Sequence, residues 1–178
     1  MFETFKIDQG QLPKNLLWHW ERLFFSAQVR NLNVPEDLSF FVLDACLREY
    51  VLSLDPLKIY RVKVLVSETT WWIKAVEIFA VNAEIYKKGV VVDDAVEERQ
   101  FFQAKWSNPL YEKYFKRQHQ KGVYETLFFD ANNFLLEGNI TNVVAVFGNK
   151  LVTPKERVLR GITVRELFDH AQKKNLQT

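Results

Sequence analysis

The sequence predicts an α+β fold of two lobes, each a mostly antiparallel sheet with helices packed on it. Three observations lead there. The apolar pattern switches repeatedly between period 2 and period 3.6 along the chain. A hydrophobic content of 48% and an aromatic content of 15% supply ample core formers and exclude a disordered chain. A length of 178 residues suits one domain or two small lobes and excludes a multidomain machine.

The elements follow in order. Phe2 to Asp8 alternates apolar and polar before the Gln9-Gly10 turn, which reads as a strand. After Pro13, the residues Leu16, Trp20, Leu23, Phe24 and Ala27 recur at helical spacing. Pro35 breaks the chain, Glu36 and Asp37 suit a first helical turn, and Leu38 to Leu54 repeats the helical period until Asp55-Pro56 ends it. Ile59 to Val66 and Trp71 to Val81 are rich in β-branched and aromatic residues around the polar corner 67–70, as an antiparallel pair would be. The acidic stretch Asp93-Asp94-Ala95-Val96-Glu97-Glu98 suggests the junction between a smaller lobe, residues 1–98, and a second lobe, residues 99–178. Beyond it the pattern predicts a strand ending at Ala104, a helix from Pro109 to Gln120 and hairpins turning at Asn132-Asn133 and Gly148-Asn149. A terminal helix opens at Gly161.

Composition narrows the function. With 24 Lys+Arg against 22 Asp+Glu, the net charge of +2 lacks the positive excess that phosphate-backbone binding shows, so nucleic acid is not the expected partner. The one cysteine, Cys46, forms no intramolecular disulfide, and His19, His119 and His170 are too scattered for zinc-ligand spacing, so no metal is expected. The opening residues lack the basic and apolar regions of a signal peptide, and no apolar run approaches the roughly 18 residues of a membrane span. A cytoplasmic protein without a membrane partner is the expectation.

Two places could hold chemistry. Glu137 lies among the apolar residues of 134–144, where a carboxylate is costly to bury unless it meets a cation or a protonated ring nitrogen. Gly161-Ile162-Thr163 opens an amphipathic helix whose first N–H groups, with a Thr hydroxyl, could bind an anion. Each motif alone also fits an ordinary capped turn or helix.

In order along the chain, Phe2-Glu3-Thr4, His19-Trp20-Glu21-Arg22-Leu23, Lys105-Trp106-Ser107-Asn108, Glu137-Gly138-Asn139-Ile140-Thr141-Asn142, Leu151-Val152-Thr153-Pro154 and Leu159-Arg160-Gly161-Ile162-Thr163 resemble the fold-type IV pyridoxal-phosphate enzymes. These are the class IV aminotransferase family, with branched-chain and D-amino-acid aminotransferases and 4-amino-4-deoxychorismate lyases. The resemblance implies pyridoxal 5'-phosphate in a cleft between the lobes, the second lobe being a shortened cofactor-binding one. Lys105 then carries the cofactor as a Schiff base and is the catalytic residue. Glu137 faces the pyridine nitrogen, and Arg22 grips the phosphate. Ile162 and Thr163 donate to the phosphate, and Leu159 packs on the ring. Asn142, with Thr141 where the family usually carries Ser, orders the loop beside Glu137. Lys63, with Arg61 two residues before it on the same strand face, would meet a substrate carboxylate.

The chain also departs from the family pattern. The strand usually found before Phe-Glu-Thr and the strands after the terminal helix, with a second phosphate-binding loop, fall beyond the two ends of the sequence. Leu110 stands where the family often has tyrosine, with Tyr111 one position later. The expected activity is the elimination of pyruvate from an aminodeoxychorismate-like substrate, giving 4-aminobenzoate. The alternatives are a branched-chain or D-amino-acid type aminotransferase, and a non-catalytic relative that binds a partner through the aromatic strand Trp71-Trp72-Ile73. A small amino substrate and a homodimer complete the expectation.

Overall fold

The computed structural model describes residues 1–178, apart from the side chains of His119 and Lys121. It is α+β, and its chain contacts divide it into two compact units. The first comprises 1–83 with 104–106, and the second 84–103 with 107–178.

The first unit is built on an antiparallel sheet of β1 (Phe2–Asp8), β2 (Ile59–Val66) and β3 (Trp71–Ile78) in that spatial order. Phe2 faces Leu65 and Asp8 faces Ile59 across the first pair, and Val66 faces Trp71 across the second. Period 2 sends Phe5, Ile7, Val62, Val64 and Val66 to one face. There they meet Trp20 and Leu23 of α1 (Leu16–Val29) and Leu43, Leu47 and Val51 of α2 (Phe40–Leu52). The α2 N-terminus is closed by Ser39, whose hydroxyl accepts the Val42 N–H at 3.2 Å.

The second unit holds β4 (Val92–Val96), β5 (Glu125–Phe129) and β6 (Leu135–Gly138), with α3 (Ala83–Lys88) leading in from Ala83. β5 runs parallel to β4 and antiparallel to β6. Parallel neighbours need a crossover, and α4 (Pro109–Lys121) lies on it. Asn108 caps α4 by accepting the Leu110 N–H at 3.0 Å, Pro109 occupies its first turn, and Gly122 ends it in the left-handed region at φ 66°. Asp130 accepts N–H bonds from Asn132 and Phe134, each at 2.9 Å, and shapes the β5–β6 turn. A second hairpin, β7 (Ala145–Phe147) and β8 (Lys150–Val152), precedes α5 (Ile162–Lys173).

One expected strand is corrected. The residues before Ala104 form turns, with Phe101 at φ 51°, and the strand lies earlier, at β4, within the acidic stretch read as a junction. Asp93 is accommodated there by Arg117 of α4 at 2.7 Å. Among the described residues, no helix is long and apolar enough to cross a membrane, and no group of His, Cys, Asp or Glu could hold a metal ion.

Candidate active site

In the first unit, helical spacing puts His19, Arg22 and Ser26 on one side of α1, against β1. Glu3 is fully buried there. It accepts Arg22 Nε at 2.7 Å on one oxygen and Arg22 Nη2 at 2.7 Å on the other, and it lies 2.8 Å from His19 Nδ1. This is a two-pronged guanidinium–carboxylate pair. Burial pushes the Glu3 carboxyl up, but the hydrogen bonds from Arg22 and His19 outweigh it and hold the group below its ordinary value.

Lys105 belongs to this same unit. Its N–H donates to Ser26 Oγ at 2.9 Å, its carbonyl accepts the Phe2 N–H at 3.1 Å, and Ser26 Oγ donates in turn to the Arg22 carbonyl at 2.6 Å. One buried hydroxyl therefore links the turn carrying Arg22 to the backbone of Lys105. The Lys105 ammonium lies 5.4 Å from the centroid of the Phe2 ring and the Lys63 ammonium lies 4.3 Å from it. Trp106 lies under the Arg30 guanidinium at 4.3 Å. Arg61 stands exposed two residues before Lys63.

In the second unit Glu137 is buried at the β6 position opposite Phe128. Its Oε1 accepts Arg99 Nε at 2.7 Å and the Tyr111 hydroxyl at 3.4 Å. Its Oε2 accepts the Leu159 N–H at 3.0 Å and Asn142 Nδ2 at 3.4 Å. Burial pushes the Glu137 carboxyl up, and Arg99 and the other donors offset only part of that. Burial also pushes the Tyr111 phenol up. Asn142 reaches the Leu159 carbonyl at 2.8 Å, so one amide ties the Glu137 loop to the approach of α5. Glu125, also buried, accepts from Thr141 Oγ1 at 2.9 Å and from the Ile140 N–H at 3.3 Å, which shapes that loop from below.

α5 opens at Gly161 without a side-chain cap, so the N–H groups of Ile162 and Thr163 are in its uncapped first turn. A Cβ at Gly161 would overlap the Asn142 side-chain oxygen. Gly161→Ala should therefore displace Asn142 from Leu159 and Glu137 and cost about 1–3 kcal/mol, read by chemical denaturation. A Gly161→Ala chain as stable as the parent would show that Asn142 has room to move.

The structure thus gathers Arg22, Lys63 and Lys105 in one unit, with Arg61 further along β2, and Glu137, Asn142, Leu159, Ile162 and Thr163 in the other. The sequence reading missed Glu3, Ser26, Arg99 and Glu125. The one signal for Arg99 was the expectation that a buried Glu137 needs a cation. Tyr111 points its hydroxyl at Glu137, although it falls one position from the family's tyrosine.

The donor sets fit a phosphorylated pyridine aldehyde, unit by unit. One unit offers an amine beside a fixed arginine; the other offers a buried carboxylate beside an uncapped helix N-terminus.

No curated protein sequence matches the chain. Solved structures do. A candidate 4-amino-4-deoxychorismate lyase superposes with a TM-score of 0.82 at 24% identity, covering 99% of this chain and 71% of that one. Another candidate lyase of this name, from Legionella pneumophila, gives 0.78 at 22%, covering 99% and 70%. An aminotransferase from Brucella abortus with its cofactor PLP bound gives 0.79 at 20%, covering 99% and 69%. At these identities the likeness is one of fold. The family model for amino-transferase class IV matches residues 1–178. The chain belongs to the class IV aminotransferases, the fold-type IV enzymes that depend on pyridoxal phosphate.

Proposed function

We propose that the chain is a 4-amino-4-deoxychorismate lyase-like enzyme that binds pyridoxal phosphate through Lys105 and works as a homodimer. The observation that carries the cofactor reading is the bridge through Ser26, which joins the backbone of Lys105 to the helical turn of the clamped Arg22. Lysine nucleophile and phosphate cation are thereby held on one framework, as orientation-dependent chemistry requires.

Bound there, pyridoxal phosphate supplies an electron sink for charge that develops at the substrate α-carbon. The chain's own residues do the rest. Arg22, and in the other unit the N–H groups of Ile162 and Thr163 with the Thr163 hydroxyl, would hold the phosphate. Glu137, its carboxylate fixed by Asn142, would hold a proton at the ring nitrogen, and Leu159 would pack against the ring. Lys63, with Arg61, would meet the substrate carboxylate. Lys105 Nζ would be the base that receives the substrate α-proton.

The lyase reading is supported by Phe2-Glu3-Thr4 and Lys105-x-x-Asn108, which resemble the lyase members more closely than the aminotransferases. Two measurements test the proposal. Borohydride treatment with pyridoxal phosphate should fix one cofactor on Lys105, and Lys105→Ala should abolish it; label elsewhere, or none, overturns the cofactor reading. Incubation with aminodeoxychorismate should release pyruvate and 4-aminobenzoate. Amino transfer to 2-oxoglutarate without pyruvate would instead establish the aminotransferase alternative.

A further inference from the structure

In the second unit, the stretch between β8 and α5 turns at Arg157, which sits at φ 61°. That is the left-handed region, which a residue with a Cβ enters only at a cost. Its side chain offsets the cost. Arg157 Nη2 lies 2.6 Å from Asp130 Oδ2, and Nη1 donates to Glu98 Oε1 at 3.1 Å. The Asp130 side chain is fully buried, and Arg157 is the cation paired with it. A carboxylate buried without such a partner is costly, so this pair holds more firmly than one on the surface. Asp130 is itself anchored, because its other oxygen accepts the Asn132 and Phe134 N–H groups. Two residues beyond Arg157, the Leu159 N–H donates to Glu137 Oε2 at 3.0 Å and the Leu159 carbonyl accepts Asn142 Nδ2 at 2.8 Å. Upstream, Thr153 Oγ1 donates to the Val143 carbonyl at 2.7 Å, and Lys155 and Glu156 in between are exposed. The Leu159 peptide is therefore placed from the Arg157 anchor.

We propose that Arg157 is a positioning residue for Glu137: pinned to Asp130 and Glu98, it sets the Leu159 peptide, and that peptide fixes the carboxylate. The proposal rests on the assignment of Glu137 to the ring nitrogen and adds the residue that aims it. Glu137 is faced on Oε1 by Arg99 and by Tyr111 of α4, and on Oε2 by the Leu159 N–H and by Asn142. The Oε2 side depends on the stretch from Arg157 to Gly161, because Asn142 is itself held by the Leu159 carbonyl. Once Arg157 is released, its turn is free to leave the left-handed region and Oε2 loses donors, while Oε1 keeps Arg99. The carboxylate then pivots about its Arg99 contact. Polar groups that face a cofactor act only when the residues behind them hold them in place.

The test begins on the whole chain without cofactor. In Arg157→Gln, hydrogen exchange of the Leu159 amide should quicken by about tenfold or more, the loss of one hydrogen bond to a charged group, while the Phe128 amide of β5 keeps the parent rate. The Glu137 titration, followed by the carboxyl carbon shift in NMR, should move upward as the Leu159 donor is lost. Arg157→Lys keeps a cation for Asp130 and should bring both readings back toward the parent. Lys155→Gln removes the same charge from an exposed neighbour and should change neither. Arg157→Gly separates side chain from backbone, since glycine adopts the left-handed region freely. Parent-like readings in Arg157→Gly would mean that the turn alone places Leu159, and they would overturn the proposal, as would an unmoved Leu159 amide in Arg157→Gln. If circular dichroism shows Arg157→Gln unfolded, Arg157→Lys against Arg157→Gly carries the same comparison. With pyridoxal phosphate added, Arg157→Gln should bind it about tenfold more weakly than the parent and Arg157→Lys close to the parent. Equal affinity in Arg157→Gln and parent would also overturn the proposal. A parent chain that takes up no cofactor instead fails the reading of Glu137, so the two failures are distinguishable.

Discussion

Glu3→Ala is expected to remove about 3–5 kcal/mol from the stability of the first unit, the range seen when one partner of a buried ion pair is deleted. The substitution takes away the carboxylate that both Arg22 and His19 use, and it leaves two side chains, 11% and 8% exposed, without their shared acceptor. Against a total of about 5–15 kcal/mol for a typical domain, that is a large fraction. Hydrogen exchange of the amides of β1 and α1 should read it. The pH dependence carries a sign. The folded state holds Glu3 below its ordinary value, so its contribution is complete above the unfolded carboxyl value of about 4.3 and is lost as pH falls through the lower folded value. Glu3→Gln should flatten that acid slope. A parent-like slope in Glu3→Gln would assign the acid sensitivity to other groups.

Arg99→Met should cost about 3 kcal/mol in the second unit at alkaline pH and progressively less as the solution is acidified. Here the carboxyl is shifted in the opposite direction. Burial raises the Glu137 carboxyl, and Arg99 Nε, at 2.7 Å, is the cation paired with it. Without it, the unpaired carboxylate would bind a proton more readily. The folded chain would then be favoured at low pH and would lose stability as pH rises through the raised folded value. Equilibrium denaturation of parent and variant at several pH values gives the difference curve. A pH-independent difference would mean that Arg99 acts through its packing on the Tyr111 ring, 4.2 Å away, and not through charge. Both costs therefore shrink on acidification, for Glu3→Ala because the parent loses the contribution of its carboxylate and for Arg99→Met because the variant's carboxyl takes up a proton.

Much of the fold was legible because local signals agreed with packing. The alternation of Phe2–Asp8, the helical spacing after Pro13 and Pro109 at a helix start each became the element expected, whereas the helix expected from Leu38, with Glu36 and Asp37 in its first turn, begins at Phe40 behind Ser39. β4 was not legible. Asp93 and Asp94 make it read as a solvated loop, and its stabilisation comes from a parallel partner and from Arg117, both distant in sequence. The site divides the same way. Glu137 announced itself as an acid among apolar residues, and Gly161-Ile162-Thr163 as an open helix start. Arg99 did not, because it is one of 24 basic residues and lies 38 positions from the carboxylate it meets. Ser26 carried no mark either, since a serine on an amphipathic helix looks the same whether it faces solvent or a lysine N–H 79 residues away.

The five tryptophans, Trp18, Trp20, Trp71, Trp72 and Trp106, all lie in the first unit, while the second carries only tyrosine and phenylalanine as emitting rings. The molecule is thus optically asymmetric. Indole fluorescence excited at its red edge reports the first unit alone, so partial melting of either unit can be assigned without labels. Trp106 directly follows Lys105 and lies beneath the Arg30 guanidinium. A chromophore joined to that lysine would sit within energy-transfer range of an indole donor, and quenching of this native emission would time the arrival of cofactor.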